Sequence, residues 1–102
     1  MSGRYSRNKG YRFEAETVNL LKEHGLEAHR VPLSGATAHD KGDIRIRVHW
    51  QPEPLLGECK RRKALPQWIY DALGENDFLT MRGDRGESLT VIRTKQFAEL
   101  CQ

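Results

Sequence analysis

From Phe13 to His24 the apolar and weakly polar positions recur at helical spacing, with Phe13, Thr17, Leu20, Leu21 and His24 on one face. Glu14, Val18 and Leu21 form the adjoining row, which sets Glu14 at the edge of the buried face. The pattern predicts a helix that begins near Tyr11 or Arg12 and ends at Gly25, a residue suited to termination. Leu26 to Val31 then reads as a short strand closed by Pro32. From Asp43 the period changes to two: Ile44, Ile46 and Val48 alternate with Arg45 and Arg47, so a strand buries its isoleucines on one side. A second apolar run, Leu55 to Lys60, predicts a third strand, separated from the last by the proline-bearing connection His49–Pro54. Pro32 to Gly42 is a loop of small and turn-forming residues leading into Asp43.

Downstream, Leu65, Trp68, Ile69, Ala72 and Leu73 share one face of a second helix, with Pro66 in its first turn and Gly74 after its end. Trp68 and Tyr70 are both able to stack on bases; Trp68 lies on that apolar face, which favours the core, whereas Tyr70 lies off it and is the better candidate for a contact. Phe78–Arg82 and Ser88–Arg93 predict a hairpin around Gly83–Gly86, with Phe78, Leu79 and Met81 serving the core or an interface and the core favoured. Thr94 is placed to cap a final short helix carrying Phe97 and Leu100. The order helix, three strands, helix, two strands, helix predicts an α/β domain with one mixed sheet of about five strands flanked by helices. Residues 1–10 read as a flexible basic arm and 11–102 as the domain.

Composition narrows the function classes. The 102 residues suffice for one modest core, and 30% of them are charged at a mean hydropathy of −0.74. No apolar run reaches membrane-spanning length, and the first ten residues lack the apolar stretch of a signal peptide, so a cytosolic protein is expected. Cys59 and Cys101 lack zinc-ligand spacing, which disfavours both a disulfide framework and a zinc site. Net charge is +3 with a pI near 9.1. Its distribution matters more: Arg4, Arg7, Lys9 and Arg12 crowd the start, and Lys60, Arg61, Arg62 and Lys63 form a basic run. Such clusters suit a polyanion.

The chemistry is concentrated at Asp43 and, after fourteen intervening residues, at Glu58-Cys59-Lys60. On a strand, Glu58 and Lys60 share a face while Cys59 points away. If the two strands pair, two carboxylates and an ammonium converge, a set suited to holding a divalent cation against a phosphate. Plain surface ion pairs, Glu58 with Lys60 and Asp43 with Arg45, are the alternative reading of the same residues. Asp40 competes with Asp43, which is favoured because it directly precedes the alternating strand.

Taken together, Lys9-Gly10 ahead of Glu14, then Pro32-Leu33-Ser34-Gly35, Gly42-Asp43-Ile44 and Glu58-Cys59-Lys60, resemble the archaeal-type Holliday junction resolvases of the PD-(D/E)xK nuclease superfamily. The close resemblance covers residues 7 to 63. It implies a restriction-endonuclease-like fold and a homodimer that cuts opposed strands of a four-way DNA junction with Mg²⁺, for which Mn²⁺ is expected to substitute. Glu14, Asp43 and Glu58 would be metal ligands, Lys60 the catalytic lysine, and Ser34 a residue near the scissile phosphate. DNA contacts would fall to Arg4, Arg7, Lys9, Arg12, Arg61, Arg62 and Lys63. The implied setting is nucleoid DNA or viral DNA in a host cytoplasm. Ala15 stands where many relatives carry a basic residue, Glu16 rivals Glu14 as the third acid, and the Asp43–Glu58 spacing is slightly long. The alternatives are a related small nuclease acting on flaps or duplex DNA, a DNA-binding module without activity, and a basic scaffold.

Overall fold

The structure is a computed structural model that describes residues 3–31 and 43–102, with the backbone alone for residues 3–8. The expected loop Pro32–Gly42, with Ser34 and Asp40, lies outside the described residues. Helix α1 spans Gly3–Glu23, followed by strands β1 (Glu27–Arg30), β2 (Ile44–Arg47) and β3 (Leu55–Gly57). Helix α2 (Gln67–Leu73), strands β4 (Leu79–Met81) and β5 (Leu89–Val91), and helix α3 (Thr94–Cys101) complete the order. That order is the one the periodicities predict. No helix among the described residues is long and apolar enough to cross a membrane.

Helix α1 starts at Gly3, well before the expected Tyr11, so residues 3–10 are helical rather than an irregular arm. Nucleation is the costly step in helix formation, and the packed turns 11–23 supply it. Extension toward the N-terminus then meets no proline, and Gly10 is its weakest position, at about 1 kcal/mol relative to alanine. The other end behaves as predicted. Gly25 takes a φ of +84°, and the Leu26 N–H reaches back to the Leu21 carbonyl at 3.1 Å, closing a Schellman-type turn that folds Leu26 under the helix.

The expected single mixed sheet is instead two antiparallel sheets among the described residues, β1-β2-β3 and β4-β5. The connections 48–54 and 82–88 are short enough for antiparallel pairing of successive strands, while helix α2 and exposed flanking segments separate β3 from β4. In the larger sheet Ala28 lies opposite Ile46 and Ile46 opposite Leu55, so one face is apolar. Val18 and Leu21 of α1 pack on it, as do Ala98 and Cys101 of α3, forming one core with Leu26, Ile44 and Val48. Gly57 packs closely here: a Cβ added to it would lie 3.1 Å from Ile44 Cγ1, a contact that the isoleucine would have to shift to relieve.

The second half packs differently from expectation. Trp68 is 55% exposed and Phe78 60% exposed, so neither belongs to the chain's own core, while Leu79 and Met81 are half-buried. Only Leu73 of α2 is buried. In α3 the inward residues are Ala98 and Cys101 with Phe97 beside them, and Leu100 is exposed. Thr94 is the first residue of that helix, with Arg93 at the cap position and no side-chain cap. Arg93 holds the two halves of this region together by donating to the backbone carbonyls of Asn76 and Gly74.

Candidate active site

Asp43 immediately precedes β2 and is held from both sides. Its carbonyl accepts from the Val31 N–H at 2.8 Å, and its own N–H donates to the Gly57 carbonyl at 2.7 Å. Its carboxylate Oδ2 accepts from the Cys59 N–H at 2.8 Å. One residue of the Glu58-Cys59-Lys60 triplet is therefore hydrogen-bonded to the acid of the neighbouring strand. The half-buried Asp43 cannot leave this position without giving up a charge-assisted bond.

The triplet lies just past β3, which ends at Gly57 rather than at the expected Lys60. The backbone stays close enough to extended for the expected alternation to survive: Glu58 and Lys60 are exposed, and Cys59 is half-buried against the core. Lys60 Nζ lies 3.0 Å from Glu58 Oε2, with 64% and 48% of the two side chains exposed. An exposed pair of this kind is worth about 0–1 kcal/mol and exchanges readily for a better partner.

Glu14 approaches from α1. Its side chain is only 17% exposed, and its Oε1 lies 3.2 Å from the Nε of Arg30 on β1. Glu16, its rival as third acid, is exposed on the same helix. The Cys59 thiol feels the charge of all three acids. Burial pushes this thiol above its ordinary value, a hydrogen bond with Thr17 opposes, and the charges of Asp43, Glu14 and Glu58 raise it further. Three carboxylates thus act on one sulfur that periodicity alone would leave as a core residue.

Hard oxygen donors of this kind fit a magnesium-class cation, which also retains several waters. Among the described residues no group of three His, Cys, Asp or Glu side chains is gathered closely enough to enclose an ion. Glu14 and Glu58 are each turned to a cationic partner, Arg30 and Lys60 respectively. The donor chemistry fits, and Glu14 and Glu58 would have to give up these ion pairs to take a cation.

The basic segments border this region in sequence. Arg4 and Arg7 fall on the first turns of α1, with side chains outside the described residues, and Lys9 and Arg12 follow on the same helix. Arg61, Arg62 and Lys63 are all exposed on the irregular segment between β3 and α2. Sequence reasoning missed Arg30. Its signal is an arginine on the strand that ends beside Asp43, visible only once the pairing of β1 with β2 is known.

A family model described as archaeal Holliday junction resolvase matches residues 5–96. No significant match was found among curated proteins or among solved structures. The match runs from α1 into the first turn of α3 and includes Glu14, Asp43, Glu58 and Lys60. The chain belongs to the archaeal Holliday junction resolvase family, nucleases of the PD-(D/E)xK superfamily that act on branched DNA.

Proposed function

We propose that the chain is a divalent-metal-dependent endonuclease that resolves four-way DNA junctions by paired hydrolytic cuts, working as a homodimer. The observation that carries this reading is the hydrogen bond from the Cys59 N–H to Asp43 Oδ2, which fastens the Asp43 and Glu58-Cys59-Lys60 motifs into one unit. Asp43 and Glu58 would hold the cation, with Glu14 as the third acid. Such a cation supplies a more acidic water and stabilises charge on the phosphoryl oxygens.

The chain's own residues do the rest. Asp43, fixed by backbone bonds on both sides, sets the position of the site relative to the sheet. Lys60, beside Glu58, places an ammonium where negative charge grows during phosphate cleavage. Cys59 anchors the triplet through its half-buried side chain, keeping Glu58 and Lys60 directed outward toward substrate. Lys9, Arg12 and Arg61 to Lys63, with Arg4 and Arg7, supply backbone contacts that position DNA without reading bases. Ser34 is proposed to stand near the scissile phosphate on the strength of the family alone.

The test uses an end-labelled four-way junction beside the matching linear duplex, with Mg²⁺, Mn²⁺ or EDTA, for the native chain and for Glu58→Ala and Lys60→Ala. Paired symmetric cuts near the branch point are expected, abolished by EDTA and reduced by about a hundredfold or more in each variant. Equal cutting of both substrates would remove the junction preference. Binding without cutting under either metal would overturn the catalytic reading.

A further inference from the structure

Arg30 is the last residue of β1 and pairs across the sheet with Ile44, the first of β2. The next residue, Val31, donates its N–H to the Asp43 carbonyl, so the strand end that carries Arg30 is bonded directly to the acid of the site. From there the side chain reaches α1. Its Nε meets Glu14 Oε1 at 3.2 Å, and its guanidinium carbon lies 4.7 Å from the centroid of the Tyr11 ring. Tyr11 and Glu14 are three residues apart on α1 and share a face. The tyrosine therefore forms a seat for the guanidinium beside the carboxylate that it neutralises.

Exposure is unequal across this pair. Glu14 is 17% exposed and Arg30 43% exposed, so the carboxylate is largely withdrawn from water while the guanidinium opens outward. A carboxylate in that position requires a counter-charge. A divalent cation and Arg30 are rivals for that role at the same oxygen. A guanidinium has five N–H donors, of which the Glu14 contact uses one, and its planar edge suits a phosphate. Beside it, Ala15, Val18, Ala28 and Lys22 line an open groove between α1 and β1.

We propose that Arg30 is an exchangeable counter-ion of the site: it holds Glu14 until a divalent cation takes the carboxylate, and then, still seated on Tyr11, turns its guanidinium to a phosphate of the bound DNA. This rests on the metal-dependent reading given above. Arg30 is a positioning residue for Glu14 in the first state and a phosphate contact in the second. The consequence is a coupling in which cation binding raises DNA affinity through a residue that touches no metal. Thermodynamic reciprocity requires DNA to raise cation affinity by the same factor.

A merely structural tie between α1 and β1 would weaken both kinds of binding when cut. Exchange has opposite signs for the two. Calorimetric titration of Mg²⁺ and Mn²⁺ into the full chain without DNA is the direct readout, for the native protein, Arg30→Ala, Arg30→Gln and the Arg30→Gln/Glu14→Gln pair. Anisotropy of a labelled junction in EDTA and in Ca²⁺, over a range of salt, gives the DNA side. Arg30→Gln keeps a hydrogen-bond donor for Glu14 and serves where Arg30→Ala fails to fold.

Arg30→Gln is expected to bind the metals about fivefold more tightly or better, a gain absent in the double variant. Its junction binding in Ca²⁺ should lose about 0.9 from the log–log salt slope, the contribution of one phosphate. Unchanged or weaker metal binding in a folded Arg30→Gln would overturn the exchange while leaving the nuclease reading intact. A native chain that binds neither metal would remove the metal-dependent reading and the exchange together.

Discussion

The two cysteines separate what a single residue reveals in sequence from what it reveals in place. Cys101 is 4% exposed in the last turn of α3, and burial raises its thiol above the ordinary value. The folded chain therefore keeps this proton to a higher pH than the unfolded chain does. Below the ordinary thiol range both states hold the proton and stability is unaffected. As pH rises through that range the unfolded state alone ionises, and stability falls. The folded protein at pH 8 should accordingly label with iodoacetamide at Cys101 far more slowly than the denatured chain, and its denaturant midpoint should decline above pH 9. Rapid native-state labelling of Cys101 would contradict its place in the core. Cys59 carries the opposite lesson. Its inward direction was legible from strand alternation, but its position among Glu14, Asp43 and Glu58 depends on a helix residue 45 positions away in the chain. Arg30 escaped for the same reason, since an ion pair 16 residues apart leaves no periodic mark.

Periodicity located every element in order because it reports which face of a segment is buried. It does not report where a segment stops or what covers it. β3 ends at Gly57 because Cys59 turns its N–H to a side chain, Asp43 Oδ2, instead of to the neighbouring strand's backbone. Helical spacing sets Leu65, Trp68, Ile69, Ala72 and Leu73 on one face but is silent about its partner, and of these the chain itself buries only Leu73. The N-terminal extension of α1 is not legible because the sequence of residues 3–10 carries no apolar stripe, and the helix there continues from the packed turns behind it. That account predicts the effect of one substitution. A Cβ at Gly10 would meet nothing within 4 Å, so Gly10→Ala should act through helix propensity alone. It should stabilise the protein by about 0.5–1 kcal/mol and raise the helical circular dichroism signal. A loss of either would mean that the chain N-terminal to Tyr11 is not helical in solution.

At the scale of the whole molecule the burial is lopsided. The core formed by α1, α3 and the three-stranded sheet holds nearly all the buried apolar residues, whereas the α2–β4–β5 half buries Leu73 alone. A two-stranded hairpin is marginal in water without a packed face. Here β4 and β5 are joined by a Thr80–Thr90 hydroxyl contact of 3.1 Å on an exposed face. On this half Trp68, Met81 and Leu89 line one shallow groove, with Trp68 55% and Leu89 59% exposed. Aromatic and aliphatic side chains left open together are what a subunit interface buries. A two-fold dimer would cover this surface on both copies at once and present two equivalent sites to a junction of matching symmetry. The expected outcome is that Trp68→Ser with Leu89→Ser converts a dimer to a monomer in sedimentation, with a lowered melting temperature. The proposed site would be left in place, because Trp68 on α2 and Leu89 on β5 lie outside the three-stranded sheet whose strands β2 and β3 adjoin Asp43 and Glu58. Paired cutting of a junction should then decay into single, uncoordinated nicks at reduced affinity. A native chain that sediments as a monomer at tens of micromolar would remove the interface, and the open groove on α2 and the β4–β5 hairpin would have to be covered by something other than a second copy.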